Sequence, residues 1–279
     1  MTELDGLFDD PAVLERIRNE AAFGYQEIIS NIEKLPAGAR VLEIGSGTGY
    51  LLAKLAAERP DIRFIGLEPI GPGFQAFAHI LETIKTAYST ISILHTPVEE
   101  MVIDHAEDRF DLVFSVNVFE HLDNWRVAID RIDHLLTPTG KHIVLCPNYV
   151  VPYEPHFGIP LLPTPTITRR VFSKYITTKE KDLGAEGLWR SLNFIKLTEL
   201  KSHCRSCSIS IDFDKGILGR MLKRLDDDPA FRQRQAGLAG IVMRVVGVTG
   251  CGVFDRLPAL WQPYMRASLS SSQAYSPDK

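Results

Sequence analysis

Three glycines at alternate positions, Gly45, Gly47 and Gly49, follow the run Arg40-Val41-Leu42-Glu43-Ile44 and precede a helical stretch from Tyr50 to Arg59. Strand, glycine turn and helix in that order make a ligand loop. Glycine lets a ligand approach the chain without a Cβ in the way. The helix start adds free N–H groups and a partial positive charge. The spacing is not the G-x-G-x-x-G that holds a dinucleotide pyrophosphate, which argues against a nicotinamide-dependent oxidoreductase. Glu43 argues the same way: an acid there repels phosphate and suits an ammonium group. Glu68 ends the next apolar run, where an acidic side chain suits ribose hydroxyls.

His121 and His156 are the second chemical set, since imidazole has the pKa of a general base. His121 belongs to Asn117-Val118-Phe119-Glu120-His121-Leu122, and His156 to Tyr153-Glu154-Pro155-His156-Phe157. Each has a plainer reading, His121 as a residue packed at a helix start and His156 as part of a rigid surface loop. Cys204-x-x-Cys207 lacks a second Cys or His pair at zinc-finger spacing, so no metal or redox role is expected of it.

The elements that must position these residues alternate regularly. Helical spacing over 11–34 is followed by strands at Arg40–Ile44, Ile62–Leu67, Ile91–His95, Phe110–Val116 and His142–Cys146. Helices at Tyr50–Arg59, Phe74–Tyr88 and Asn124–Leu136 lie between them. The fold class expected is α/β: a doubly wound, mostly parallel, Rossmann-like sheet with flanking helices, an N-terminal helix and a helical C-terminal extension. Six prolines between Pro147 and Pro165 exclude a helix or inner strand there and suggest a loop covering the site. Helical character returns at Thr198–Ser206, and Ser208–Phe213 alternates like a strand. Three parts are expected: a helical cap over 1–36, a ligand-binding domain over 37–215 with the Pro-rich insertion at 147–165, and a helical apolar extension over 216–279.

Glu43-Ile44-Gly45-Ser46-Gly47-Thr48-Gly49, Glu68 and Phe110-Asp111-Leu112-Val113-Phe114-Ser115 together resemble the class I S-adenosylmethionine-dependent methyltransferases, over roughly residues 38–147. The resemblance implies S-adenosyl-L-methionine as cofactor. It places Gly45, Gly47 and Gly49 at the cofactor loop, Glu68 at the ribose, Val98 and Glu99 at the adenine, and Asn117 at the methionine amine. The Glu120-His121 pair is similar to small-molecule O-methyltransferases, including those of quinone biosynthesis. Some of those relatives hold a divalent metal through Glu-x-x-Glu-His. Here the first position is Asn117, so no metal is expected, with His156 a distant ligand if one is held. A methyltransferase-like binding module without catalysis is the other reading, against which the intact loop argues.

A net charge of −4, and the lack of an Asn/Asp-Pro-Pro-Tyr/Phe signature, argue against a nucleic acid acceptor. The expected partner is a small-molecule or lipid-linked methyl acceptor. Met1 to Asp10 is acidic without an apolar run, which suggests a cytoplasmic protein with free thiols. The apolar stretch 236–265 reads either as a helix packed on the core or as a surface meeting the inner membrane face.

Overall fold

The computed structural model describes residues 3–8, 10–69, 78–227 and 257–270. Helix α1 (Pro11–Ile32) leads into β1 (Arg40–Ile44), α2 (Tyr50–Glu58), β2 (Arg63–Leu67), α3 (Ala78–Ala87) and β3 (Ile91–Leu94). Then come β4 (Phe110–Val116), α4 (Trp125–Leu135) and β5 (Leu136–Pro147). A two-residue-per-strand hairpin, β6 (Tyr153–Glu154) and β7 (Ile159–Pro160), opens the Pro-rich stretch. Four helices follow: α5 (Pro165–Val171), α6 (Ser173–Leu183), α7 (Leu188–Ser191) and α8 (Leu197–Ser206). The described chain closes with β8 (Ser210–Phe213), α9 (Ile217–Asp227) and β9 (Tyr264–Ser270).

The sheet runs β3-β2-β1-β4-β5-β9-β8. Strands β1 to β5 are parallel, and β9 pairs antiparallel with both β5 and β8. This is the doubly wound α/β class expected from the alternation. The strand order reverses between β1 and β4, so the loops leaving those strands diverge and open a crevice at their C-terminal ends.

Alternate side chains of each strand enter opposite cores. Val41, Leu112, Phe114 and Ile143 face one core with Ile28, Ile32 and Leu52, while Leu42, Val113 and Val144 face the other with Ile129, Ile132 and Leu200. Helix α1, expected as a helical cap, packs into the first core. A third, smaller cluster joins Phe157, Ile159, Ile176, Leu188, Trp189 and Leu192 beneath α6 and α7. It fixes the Pro-rich segment against those helices, which the proline count alone did not reveal.

One expectation needs correction. The sequence pattern gives a helical extension over 216–279, beyond the ligand-binding domain. Helix α9 is there, but Tyr264–Ser270 is an interior strand of the main sheet. Alternation hides in YMRASLS because Ala267 is small and the serines sit at intermediate depth, while Met265, Ala267 and Leu269 are buried. Most of the stretch read as membrane-facing, and the beginning of the Phe74–Tyr88 helix, lie outside the described residues. Among the described residues no helix is long and apolar enough to cross a membrane.

Buried Glu27 on α1 ties these distant pieces together. It receives two hydrogen bonds from Arg220 of α9, at 2.7 and 2.8 Å, and lies 3.5 Å from Arg266 of β9. Glu27→Gln takes the countercharge from Arg266 and leaves Arg220 with Asp214, 2.6 Å away, as its one carboxylate among the described residues. It should lower unfolding free energy by about 2–3 kcal/mol in urea melts, with Arg220 partly resolvated.

Candidate functional site

The crevice holds a cavity of about 500 Å³. One end is built on the loop after β1. Gly45, Gly47 and Gly49 all have positive φ, at 67°, 54° and 76°. Each meets something different. A Cβ on Gly45 would lie 2.4 Å from Val118 Cγ2, so this glycine permits close approach of the loop after β4. A Cβ on Gly47 would meet nothing within 4 Å, which leaves its backbone bare toward the cavity. Gly49 does not line the cavity; it precedes α2, and a Cβ there would press on Ile93 and Leu81. Its N–H is taken by the Ser46 carbonyl at 2.7 Å, and the neighbouring side chains give a packing reason for glycine here.

Glu43, Glu68, Val98, Glu99 and Asn117 line the same cavity. The Gly47 N–H donates to Glu68 Oε2 at 2.7 Å, joining the loop to the end of β2. Glu43 is buried, and its Oε2 has no hydrogen-bond partner among the described residues. Burial, with the Glu68 charge adding to it, pushes the Glu43 carboxyl well above its ordinary value. An acid held in this way is suited to a cation. Asn117 adopts φ 56°, a region that asparagine tolerates better than most residues. The Tyr264 hydroxyl donates to its Oδ1 at 2.5 Å, so β9 supports the site from behind.

The other end of the cavity is lined by His121, Leu122, His156, Leu183, Leu188 and Val118. The two imidazole rings stand 5.3 Å apart, and both present Nε2 to Glu120. Glu120 Oε1 lies 3.8 Å from His156 Nε2 and 4.0 Å from His121 Nε2. Glu120 is fully buried behind the rings, and neither carboxylate oxygen has a hydrogen-bond partner among the described residues.

The far ring nitrogens set the tautomers. Ser191 Oγ donates its only proton to the Leu188 carbonyl at 2.8 Å, so it must accept from His121 Nδ1–H, also at 2.8 Å. His156 Nδ1 donates to Glu154 Oε1 at 2.6 Å. Glu154 is held in turn by the Tyr149 hydroxyl at 3.1 Å and the Phe157 N–H at 2.7 Å. His121 Nε2 thus turns a lone pair toward Glu120, while His156 Nε2 faces the same carboxyl and carries a proton whenever that ring is an imidazolium. The ligating atoms of Glu120, His121 and His156 lie within 4.8 Å of one another, a grouping that could hold a metal ion.

Protonation separates the histidines. Burial and the neighbouring His156 push His121 down to about 3, which leaves it neutral and a weak base near pH 7. Burial also lowers His156, yet the Glu154 and Glu120 carboxylates outweigh it and the net direction is up. Burial raises Glu120 to about 7, against the opposing pull of His156. Of the two histidines singled out by type, His156 has the basicity for proton transfer.

Nine of the ten expected site residues therefore line one cavity. Sequence reasoning missed Glu120 as the buried centre of the histidine pair, although it adjoins His121. It also missed Ser191, for which no local signal exists, and the wall given by Arg16, Ile17 and Glu20 of α1.

Residues 14–156 match the family model described as Methyltransferase domain. Uncharacterized protein Rv1509 of Mycobacterium tuberculosis is 34% identical over 254 residues, covering 90% of this chain and 85% of that protein. The ubiquinone biosynthesis O-methyltransferase of Nitrobacter winogradskyi is 29% identical over 131 residues, 47% of each chain. Among solved structures, the plantazolicin methyltransferase BpumL in complex with a triazolic desmethylPZN analog and SAH superposes with a TM-score of 0.52. Its identity is 12%, over 96% of this chain and 94% of that one, so the likeness is one of fold.

The glycine geometry orders the cost of substitution. Gly45→Ala meets both the left-handed backbone, about 1–2 kcal/mol, and the Val118 clash, about 1–3 kcal/mol. Gly47→Ala meets the backbone cost alone. Thermal melts should rank Gly45→Ala below Gly47→Ala, and adding Val118→Ala should restore part of the Gly45→Ala loss.

Proposed function

Because the chain belongs to the methyltransferase domain family, we propose that it moves the methyl group of S-adenosyl-L-methionine to a hydroxyl oxygen of a small or lipid-linked acceptor. What supports the reading most is one cavity with a bare glycine loop and two acids at one end and the Glu120–His156 pair at the other.

The residues at the loop fit the cofactor's chemistry. Glu43 has a buried carboxylate without a partner for the ammonium group, Glu68 has carboxylate oxygens for the ribose, and Val98 with Glu99 borders the adenine position. Bound there, S-adenosylmethionine supplies a methyl group on a sulfonium, which needs an aligned nucleophile and exclusion of water rather than further activation. The apolar side chains of Val118, Leu122, Leu183 and Leu188 exclude that water.

At the acceptor end, His156 Nε2 takes the hydroxyl proton as the oxygen–methyl bond forms and the methyl–sulfur bond breaks, its electron pair staying on sulfur. Glu154 holds the ring in the needed tautomer, and Glu120 stabilises the imidazolium. His121, neutral, orients the acceptor.

A second reading is favoured by the unpartnered Glu120 oxygens. Glu120, His121 and His156 would hold a divalent cation, with a donor set of two imidazoles and a carboxylate suited to zinc or manganese. The ion would lower the pKa of an acceptor hydroxyl.

Cofactor affinity is linked to Glu43 protonation. A bound ammonium favours the carboxylate, so calorimetric affinity for S-adenosylmethionine should rise with pH toward the elevated value of Glu43. Glu43→Gln should weaken binding and flatten that slope; an unchanged slope would remove Glu43 from the site.

His156→Ala should lower methyl incorporation from labelled S-adenosylmethionine into cell extract by about 10²–10⁴-fold. Cofactor affinity should stay nearly unchanged. The wild-type rate should climb with pH through about 7 as the Glu120–His156 pair loses its proton. Label found on nitrogen or carbon of the product overturns the hydroxyl assignment. Loss of rate to a chelator, restored by a divalent ion, selects the metal reading.

A further inference from the structure

The Cys204-x-x-Cys207 pair, for which sequence spacing suggested no role, is split by the fold. Helix α8 packs on α4 over the second core, and Cys204 is buried there beside Ile129, Ile132 and Leu200. Cys207 closes α8 and lies instead at the seam between the two helices. His203, one turn earlier on α8, and Asp130 of α4 face the same point.

The three donors are already gathered. His203 Nε2 is 2.8 Å from Asp130 Oδ1, Cys207 Sγ is 3.3 Å from the same oxygen, and Cys207 Sγ is 3.8 Å from His203 Nε2. Ligand atoms at about 2.0–2.3 Å from a tetrahedral zinc stand roughly 3.4–3.6 Å apart, so a cation fits with shifts near half an ångström. The His203 ring is set edge-on to Trp125 at a centroid distance of 5.7 Å, which limits its rotation. None of the three residues lines the methyl-transfer cavity.

We infer that Asp130, His203 and Cys207 form a zinc site that clips α4 to α8, with a fourth position open to water. One thiolate, one imidazole and one carboxylate make a borderline-soft set, which selects zinc over magnesium or calcium. Binding displaces the Cys207 proton, now held toward Asp130 Oδ1, and the proton between His203 and Asp130. Uptake therefore releases protons and tightens as pH rises.

Cobalt(II) titration of the metal-stripped full chain tests this. A sulfur-to-cobalt charge-transfer band should appear at one equivalent and be displaced by zinc. Glu120, His121 and His156 offer no sulfur of their own, and loss of the band in Cys207→Ser separates the α4–α8 site from the other cysteines. Cys207→Ser should abolish the band, His203→Ala should weaken binding roughly tenfold or more, and Cys204→Ala should keep the band. Zinc should also raise the melting temperature of the wild type but not of Cys207→Ser. Absence of a sulfur band, or a band that survives Cys207→Ser, overturns the proposal.

Discussion

Pairing of β1 with β4, from Val41 opposite Leu112 to Ile44 opposite Ser115, sets two loops side by side at the C-terminal edge of the sheet. The two crossover directions diverge at this point, so neither loop is covered by a helix from the other half. Val118 then sits where a Gly45 side chain would be, which fixes the separation of the loops to atomic contact. Asn117, Glu120 and His121 follow from that placement because they continue the β4 loop. Within the Glu120–His121–His156 group, His156 comes from another segment, carried by the hairpin that Phe157 and Ile159 anchor to the third apolar cluster.

Two carboxylates in this arrangement are kept at a cost to the fold, and a third shows the contrast. Glu27 is as buried as they are, yet its oxygens receive Arg220 and its neighbour Arg266 stands close by. Glu43 and Glu120 have buried oxygens with no such donors. For Glu120 the rise from 4.5 to about 7 corresponds to about 3 kcal/mol against folding. Because the folded-state value is the higher one, this term is absent below the ordinary carboxylate range and complete above about 7. Side chains placed against their own stability in a cavity are characteristic of sites where a ligand supplies the missing partner.

How much of this was legible in the sequence depends on whether the determining contact was local. Strands β1, β4 and helix α4 announce themselves through apolar periodicity, and Asn124 caps α4 by accepting from the Val127 N–H as its type suggests. The loop glycines are readable because three positive-φ positions in a strand-to-helix turn ask for that type, and Glu68 ends the neighbouring strand within reach of the Gly47 N–H. Gly49 has a further reason that is not local, since a Cβ there would press on Ile93 and Leu81, far along the chain. The role of Ser191 depends on His121, seventy positions away. Strand β9 was obscured because Ala267 and the serines carry little hydrophobic signal, and its burial is imposed by the strands on both sides.

That interior position of β9 also bears on how the chain reaches its native state. Until Tyr264–Ser270 has left the ribosome, β5 presents an unpaired edge from Lys141 to Pro147 and β8 has no strand to join. Such edges invite association with other chains. Closing them requires contacts between segments far apart in sequence, which slows folding and prolongs the exposed interval. The same strand delivers Tyr264 to Asn117, so the loop after β4 receives its backing only when the sheet is completed. Nascent chains are in this way held short of a finished site until the last sheet partner is in place.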